Sequence, residues 1–158
     1  MKPRVSLNPS AKALQPMLAL EAYLHATNLG TSLLYLVKMR ASQINGCAYC
    51  IDMHSKDARA AGETEQRLYS LDAWHEAPFY NDRERAALAW TEAVTNVTDG
   101  HVPDEVFAAV REQFSEADLL DLTLAVANIN SWNRLSIALR AVPGTYQPKP
   151  RAVEAHGR

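Results

Sequence analysis

TSLLYLVKMRASQINGCAYCIDMHSKDARAAG, residues 31–62, is the stretch that decides the fold class. Leu33, Leu36, Val37 and Ile44 recur at the intervals that line apolar side chains along one stripe of an α-helix. Asn45-Gly46 then breaks the pattern. Helical spacing resumes from Cys47 to Ala61, where Gly62 supplies a stop. The stretch therefore reads as helix, break, helix, with Thr31 as the expected cap of the first.

The same spacing extends outward in both directions, and no segment shows period-two alternation bounded by hairpin turns. The expected class is all-α, with about six to seven helices. Ser10 is the expected cap of a first helix through about Ala26, and ETEQRLYSLDAW (63–74) starts a fourth after Gly62. Pro78 marks a loop. Asn81 and Glu84 have capping-box spacing ahead of a helix that turns Ala87, Leu88, Thr91 and Val94 inward and ends by Asp99-Gly100. Pro103 suits the first turn of a sixth helix through Phe114, and Ser115 with Asp118 caps a last one to about Arg140. These elements make one domain, 1–141. The remaining VPGTYQPKPRAVEAHGR, 142–158, is rich in proline, glycine and charge and reads as a tail that wraps loosely or frays.

A chain of 158 residues can bury a core without disulfide staples, so its two cysteines, Cys47 and Cys50, have no obligatory bracing role. With 47% hydrophobic and 22% charged residues the composition is that of an ordinary globular protein, and a net charge of -2 gives no electrostatic case for nucleic acid. The N-terminus lacks the apolar segment of a secretory signal, and no run approaches the ~20 apolar residues of a membrane span. The expectation is a cytoplasmic protein with no membrane partner, in a compartment where a paired CxxC more often does chemistry than bracing.

Cys50 follows Cys47 by three residues and His54 follows Cys50 by four, which places both thiols and an imidazole on one helix face. The break before Cys47 sets the thiols in or near a first turn, where unpaired N–H groups and the helix dipole favour thiolate. The dipole favours Cys47, whereas His54 lies closest to Cys50. A specific base outweighs a diffuse dipole, so Cys50 is the expected nucleophile and Cys47 the resolving thiol. Cys50 would attack a peroxide oxygen to give a sulfenic acid, which Cys47 would convert to a disulfide for a second reductant to reopen. Two other readings stand beside this one. Each cysteine taken alone is commonly a small core hydrophobe. A zinc site would need four ligands, and His25, His75, His101 and His156 are scattered singly. The joint placement ranks redox chemistry first and metal third.

LVKMRASQINGCAYCIDMHSKDARAAGETEQRLYSLDAW (36–74), with ERAALAWTEAVT (84–95) and ANINSWNRLSIALR (127–140), resembles the carboxymuconolactone decarboxylase-like superfamily, specifically its alkylhydroperoxidase AhpD-like branch, over roughly residues 15–141. The resemblance implies an all-helical fold around an antiparallel helical pair and a homo-oligomer, trimer or hexamer. It implies peroxidase activity without haem, metal or other cofactor, a hydroperoxide substrate, and an unidentified protein or small-molecule thiol or dithiol reductant. Cys50 matches the cysteine that becomes sulfenic acid, Cys47 its resolving and proton-donating partner, and His54 the histidine of the proton relay.

The pattern of that branch has a glutamate twelve residues before the first cysteine and a histidine between the cysteines, and here Tyr35 and Tyr49 hold those positions. Either tyrosine could join a proton relay by passing on a hydrogen bond. With an unperturbed pKa near ~10, each is a poor general base at neutral pH. Glu84 and Glu92 are the candidates to supply a carboxylate from another helix, against the competing roles of a cap for Glu84 and a solvated face for Glu92. Trp132, Asn133 and Arg134 read first as helix or subunit contacts, and Trp74 and Trp90 as core or interface anchors. Two further functions remain open: a gamma-carboxymuconolactone decarboxylase-like enzyme, suggested by the superfamily name, and a helical oligomer that holds a metal or senses oxidants.

Overall fold

The structure is a computed structural model of the chain and describes residues 2–148. Its centre is the pair formed by α2 (Thr31–Ile44) and α3 (Ala48–Ala60), which run antiparallel from a tight turn at 45–47. Gly46 adopts φ 65°, a left-handed conformation that costs an L side chain about 1–2 kcal/mol and glycine almost nothing. The Cys47 N–H closes the turn onto the Ser42 carbonyl at 3.0 Å.

α2 is buried on nearly all sides because it divides the core in two. Leu33, Leu34 and Val37 pack with Leu24 of α1 (Gln15–His25), Ala87 and Trp90 of α5 (Asp82–Thr95), Val110 of α6 (Asp104–Gln113) and Leu122 and Val126 of α7 (Glu116–Leu139). Leu36 and Met39 face the other way, toward Ala58, Leu68 of α4 (Glu65–Tyr69), Leu71, Trp74 and Leu88. Among the described residues there are seven α-helices, two short 3₁₀ turns (Lys12–Leu14 and Leu71–Ala73) and no strand. The all-α reading holds, and no described helix is long and apolar enough to cross a membrane.

Several local expectations are met at the atomic level. Asn81 and Glu84 form a reciprocal capping box, and Ser115 Oγ accepts from the Asp118 N–H at 3.1 Å. Others differ. Ser10 caps nothing: its N–H is held by Asn8, and α1 begins behind Leu14 with Pro16 in its first turn. Thr31 is the first helical residue rather than the cap, because Gly30 takes the preceding position with φ 82°. Cys47 lies one residue outside α3, as its N-cap. Pro103 is likewise the N-cap of α6. The fourth segment splits, since after Tyr69 a tighter 3₁₀ turn brings Leu71 and Trp74 into the core. Ile44 and Val94 are half-buried rather than fully inside.

The start of the tail is fastened, not loose. The Gly144 N–H donates to Asp52 Oδ2 at 2.9 Å, Lys56 Nζ to the Tyr146 carbonyl at 3.1 Å, and the Tyr146 hydroxyl to Asp57 Oδ1 at 2.6 Å, which straps this segment across the outer face of α3. Residues 149–158 of the expected tail lie outside the described residues.

Candidate active site

Cys47 and Cys50 are both about 1% exposed and their sulfurs are bonded to each other, with Cα atoms 5.4 Å apart. The N-cap placement brings the Cys47 sulfur to 3.4 Å from the Cys50 N–H, a contact of the kind that stabilises negative charge on sulfur once the thiols are reduced. One turn on, His54 is 6% exposed on the same face. Its Nδ1 is buried without a hydrogen-bond partner. Burial first, and then the charge of Lys38, lower the His54 pKa to about 3, against an opposing pull from Glu21. The imidazole is therefore neutral at pH 7. It can accept a proton, but weakly.

A network of amides holds the turn that presents the cysteines. Asn45 Nδ2 lies within hydrogen-bond distance of the Ala41 carbonyl at 2.8 Å and of Asn130 Oδ1 and Asn133 Oδ1 at 2.9 Å. Asn133 Nδ2 donates to Ser42 Oγ at 3.0 Å, and Asn130 Nδ2 to Thr95 Oγ1 at 3.0 Å. Arg134 Nη1 adds a bond to Asn130 Oδ1 at 3.0 Å. Buried amides require such partners, and here they tie α2, α5 and α7 to the turn. Trp74 and Trp90 are buried, donating their indole N–H groups to Glu92 and Thr123.

Sequence reasoning missed a charged cluster beside this face. Lys38 is 2% exposed, ion-paired with Glu21 and 3.3 Å from His25 Nε2. Asn128 of α7 donates to the other Glu21 oxygen at 2.8 Å. Burial raises the Glu21 pKa, but the hydrogen bond from His25 and the charge and hydrogen bond of Lys38 outweigh it and bring the value down to about 2. The available signal was a lysine inside the apolar run Leu36-Val37-Lys38-Met39.

The candidate relay residues separate. Tyr35 is half-buried, edge-on to His25 at a ring separation of 6.1 Å, and its phenol is pushed up by burial and then by Asp57 and Glu21. With Asp57, Ala58, Arg67, Glu84 and Tyr146 it lines a cavity of about 660 Å³ one turn beyond His54. Tyr49 is half-buried in the first turn of α3. Glu84 is committed to its cap and to Arg67 at 2.6 Å. Glu92 accepts from Arg40 at 2.8 Å and Trp74 at 2.7 Å, with His75 at 3.3 Å. Burial raises the Glu92 pKa, but these partners more than reverse the effect. Among the described residues neither glutamate is hydrogen-bonded to the cysteines or to His54. Nor is any group of three or more His, Cys, Asp or Glu placed to hold a metal ion.

The sequence profile of the carboxymuconolactone decarboxylase family matches residues 11–93. The uncharacterized protein YdfG of Bacillus subtilis is 46% identical over 140 residues, which span 88% of this chain and 95% of YdfG. A crystal structure of ATU0492 from Agrobacterium tumefaciens, a protein of unknown function proposed to be an antioxidant defence protein AhpD, is 36% identical. It superposes with a TM-score of 0.87 over 92% of this chain and all of its own. The debrominase Bmp8, at 24% identity, shares the fold with a TM-score of 0.73 over 82% of this chain and 70% of its own. A helical pair carrying CxxC and a histidine on one face, with these likenesses, defines the class. The chain belongs to the carboxymuconolactone decarboxylase family, in its AhpD-like branch. That membership points to peroxidase-related or decarboxylase-like chemistry.

Proposed function

We propose that this protein is an AhpD-like thiol peroxidase that reduces a hydroperoxide through Cys50 and Cys47. The observation that carries the reading is the pairing of the two sulfurs at the start of α3, on the face that also holds His54. The Cys50 thiolate attacks the terminal peroxide oxygen. The O–O bond breaks, and the alkoxide leaves as alcohol after taking a proton. Cys47 then attacks the sulfur of the resulting sulfenic acid, the S–S bond forms and water departs. An external thiol or dithiol supplies the two electrons that restore both thiols, and no bound cofactor is required.

In this scheme His54, too weak a base to keep a proton, passes the Cys50 proton onward, and Cys47 donates one to the departing oxygen. Tyr35, at the cavity, and Tyr49, in the first turn, would extend the proton path through hydrogen bonds made during turnover. Glu84 lines the same cavity as Tyr35. Glu92 serves Trp74 and Arg40 instead. A cytoplasmic location and assembly as a trimer or hexamer belong to the same proposal.

The test is hydroperoxide consumption with a dithiol reductant. Cys50→Ser should reduce turnover at least about 100-fold, as loss of a nucleophile does. Equal rates in parent and variant would overturn the scheme. The decarboxylase alternative rests on the family's description, and carbon dioxide release from a muconolactone that persists in a Cys47→Ser, Cys50→Ser variant would favour it.

A further inference from the structure

An ammonium group is seldom buried unless a specific partner holds it. Lys38 has that partner in Glu21, which is itself fixed by His25 and Asn128, so three helices converge on one carboxylate. A buried ion pair is weak evidence for stability, because well-packed apolar residues commonly replace one without loss. Its position indicates another use.

Lys38 lies eight residues before Gly46 and His54 eight residues after it. Two helices that leave one turn antiparallel rise equally per residue, so these two positions stand level along the α2–α3 pair. One other pair agrees with this register: Tyr35 and Asp57, each eleven residues from Gly46, line the same cavity at the far end. Both Lys38 and His54 are buried, so a charge on one is poorly screened at the other.

We propose that Glu21 and Lys38 are positioning residues for the chemistry at Cys50 and act through His54, the ammonium opposing and the carboxylate favouring protonation of the buried imidazole. This inference rests on the reading of Cys50 and His54 as nucleophile and base. Of the other titratable groups, His25 from α1 opposes protonation of the imidazole, Tyr35 from α2 lies edge-on to His25, Cys50 and Asp57 lie within a turn of His54 on its own helix, and the uncharged Asn128 of α7 reaches Glu21. The field at His54 runs in the direction this arrangement requires, Lys38 lowering and Glu21 raising its proton affinity.

The experiment is a titration of the His54 imidazole by NMR in the full chain, assigned with His54→Gln, for the parent, Lys38→Met and a doubly neutral Glu21→Gln, Lys38→Met variant. Lys38→Met leaves the carboxylate unopposed and should raise the His54 midpoint by about one pH unit or more. The double variant buries no unpaired charge, which protects its folding, and should fall between Lys38→Met and the parent. Should Lys38→Met not fold, a double-variant midpoint above the parent's carries the test. A midpoint unmoved in the folded variants, or a reversed order, overturns the proposal. The pH profile of Cys50 alkylation should move with His54 in Lys38→Met and should not move when His54→Gln is the background. A purely structural pair would give neither response. Because the midpoint is read without a peroxide, loss of the peroxidase reading and loss of this proposal give different results.

Discussion

At His54 the folded chain resists a proton that the unfolded chain accepts. The folded pKa is about 3 against an ordinary 6.5, so between those values unfolding takes up a proton and stability falls as pH is lowered. Above pH 6.5 the imidazole is neutral in both states and contributes no slope. Glu21, at about 2 against 4.5, acts in the same direction at lower pH, because its carboxylate must be protonated before the ion pair is lost. Urea unfolding should accordingly show parent stability dropping between pH 6.5 and 4.5 more steeply than that of His54→Gln. Equal slopes would mean that the ring is not sealed in the folded protein. At this scale the sequence was informative about Cys47, Cys50 and His54, since a helix fixes which residues share a face within two turns. It could not reveal Glu21 with Lys38. Their pairing crosses 17 residues and depends on how α1 meets α2, which no local spacing encodes.

Among the elements, the α2–α3 hairpin carries the site and the amide network carries its turn. Asn133→Ala would take from Ser42 its amide donor inside the core, while Asn45 keeps the Ala41 carbonyl and Asn130 Oδ1, at a cost of about 1–3 kcal/mol. The expected outcome is a lower midpoint in chemical denaturation, with α-helical content intact in the folded baseline. An unchanged midpoint would show that water can replace the amide. The hairpin itself was readable because Asn45-Gly46 interrupts two apolar stripes. The caps at Asn81 and Ser115 were readable because their partners lie three residues away. Ser10 and Thr31 misled because a capping residue type marks a helix start only when the backbone before it leaves that position open. At α2 the positive φ of Gly30 had already taken the role.

For the molecule as a whole, the strap over α3 links the end of the domain to the helix that bears the cysteines. Burial and then Asp57 push the Tyr146 phenol well above the ordinary tyrosine range. Tyr146→Phe should remove one phenol that resists ionisation in an ultraviolet titration and speed amide exchange at Gly144, whose N–H is held by Asp52. Unchanged exchange would show that the other two bonds suffice to hold the segment. Proline and glycine in this stretch suggested looseness, but composition does not register Asp52, Lys56 and Asp57, which stand at intervals on one helix and grip it.

The cysteines lie where bulk water scarcely touches them, each showing about 1% of its surface. With the sulfurs so covered, a dissolved oxidant would meet them only if the beginning of α3 lifts and resettles. Under the proposed chemistry such opening would place a ceiling on speed: beyond some dose, supplying more oxidant should leave the pace unchanged, and the tempo should become that of the breathing helix.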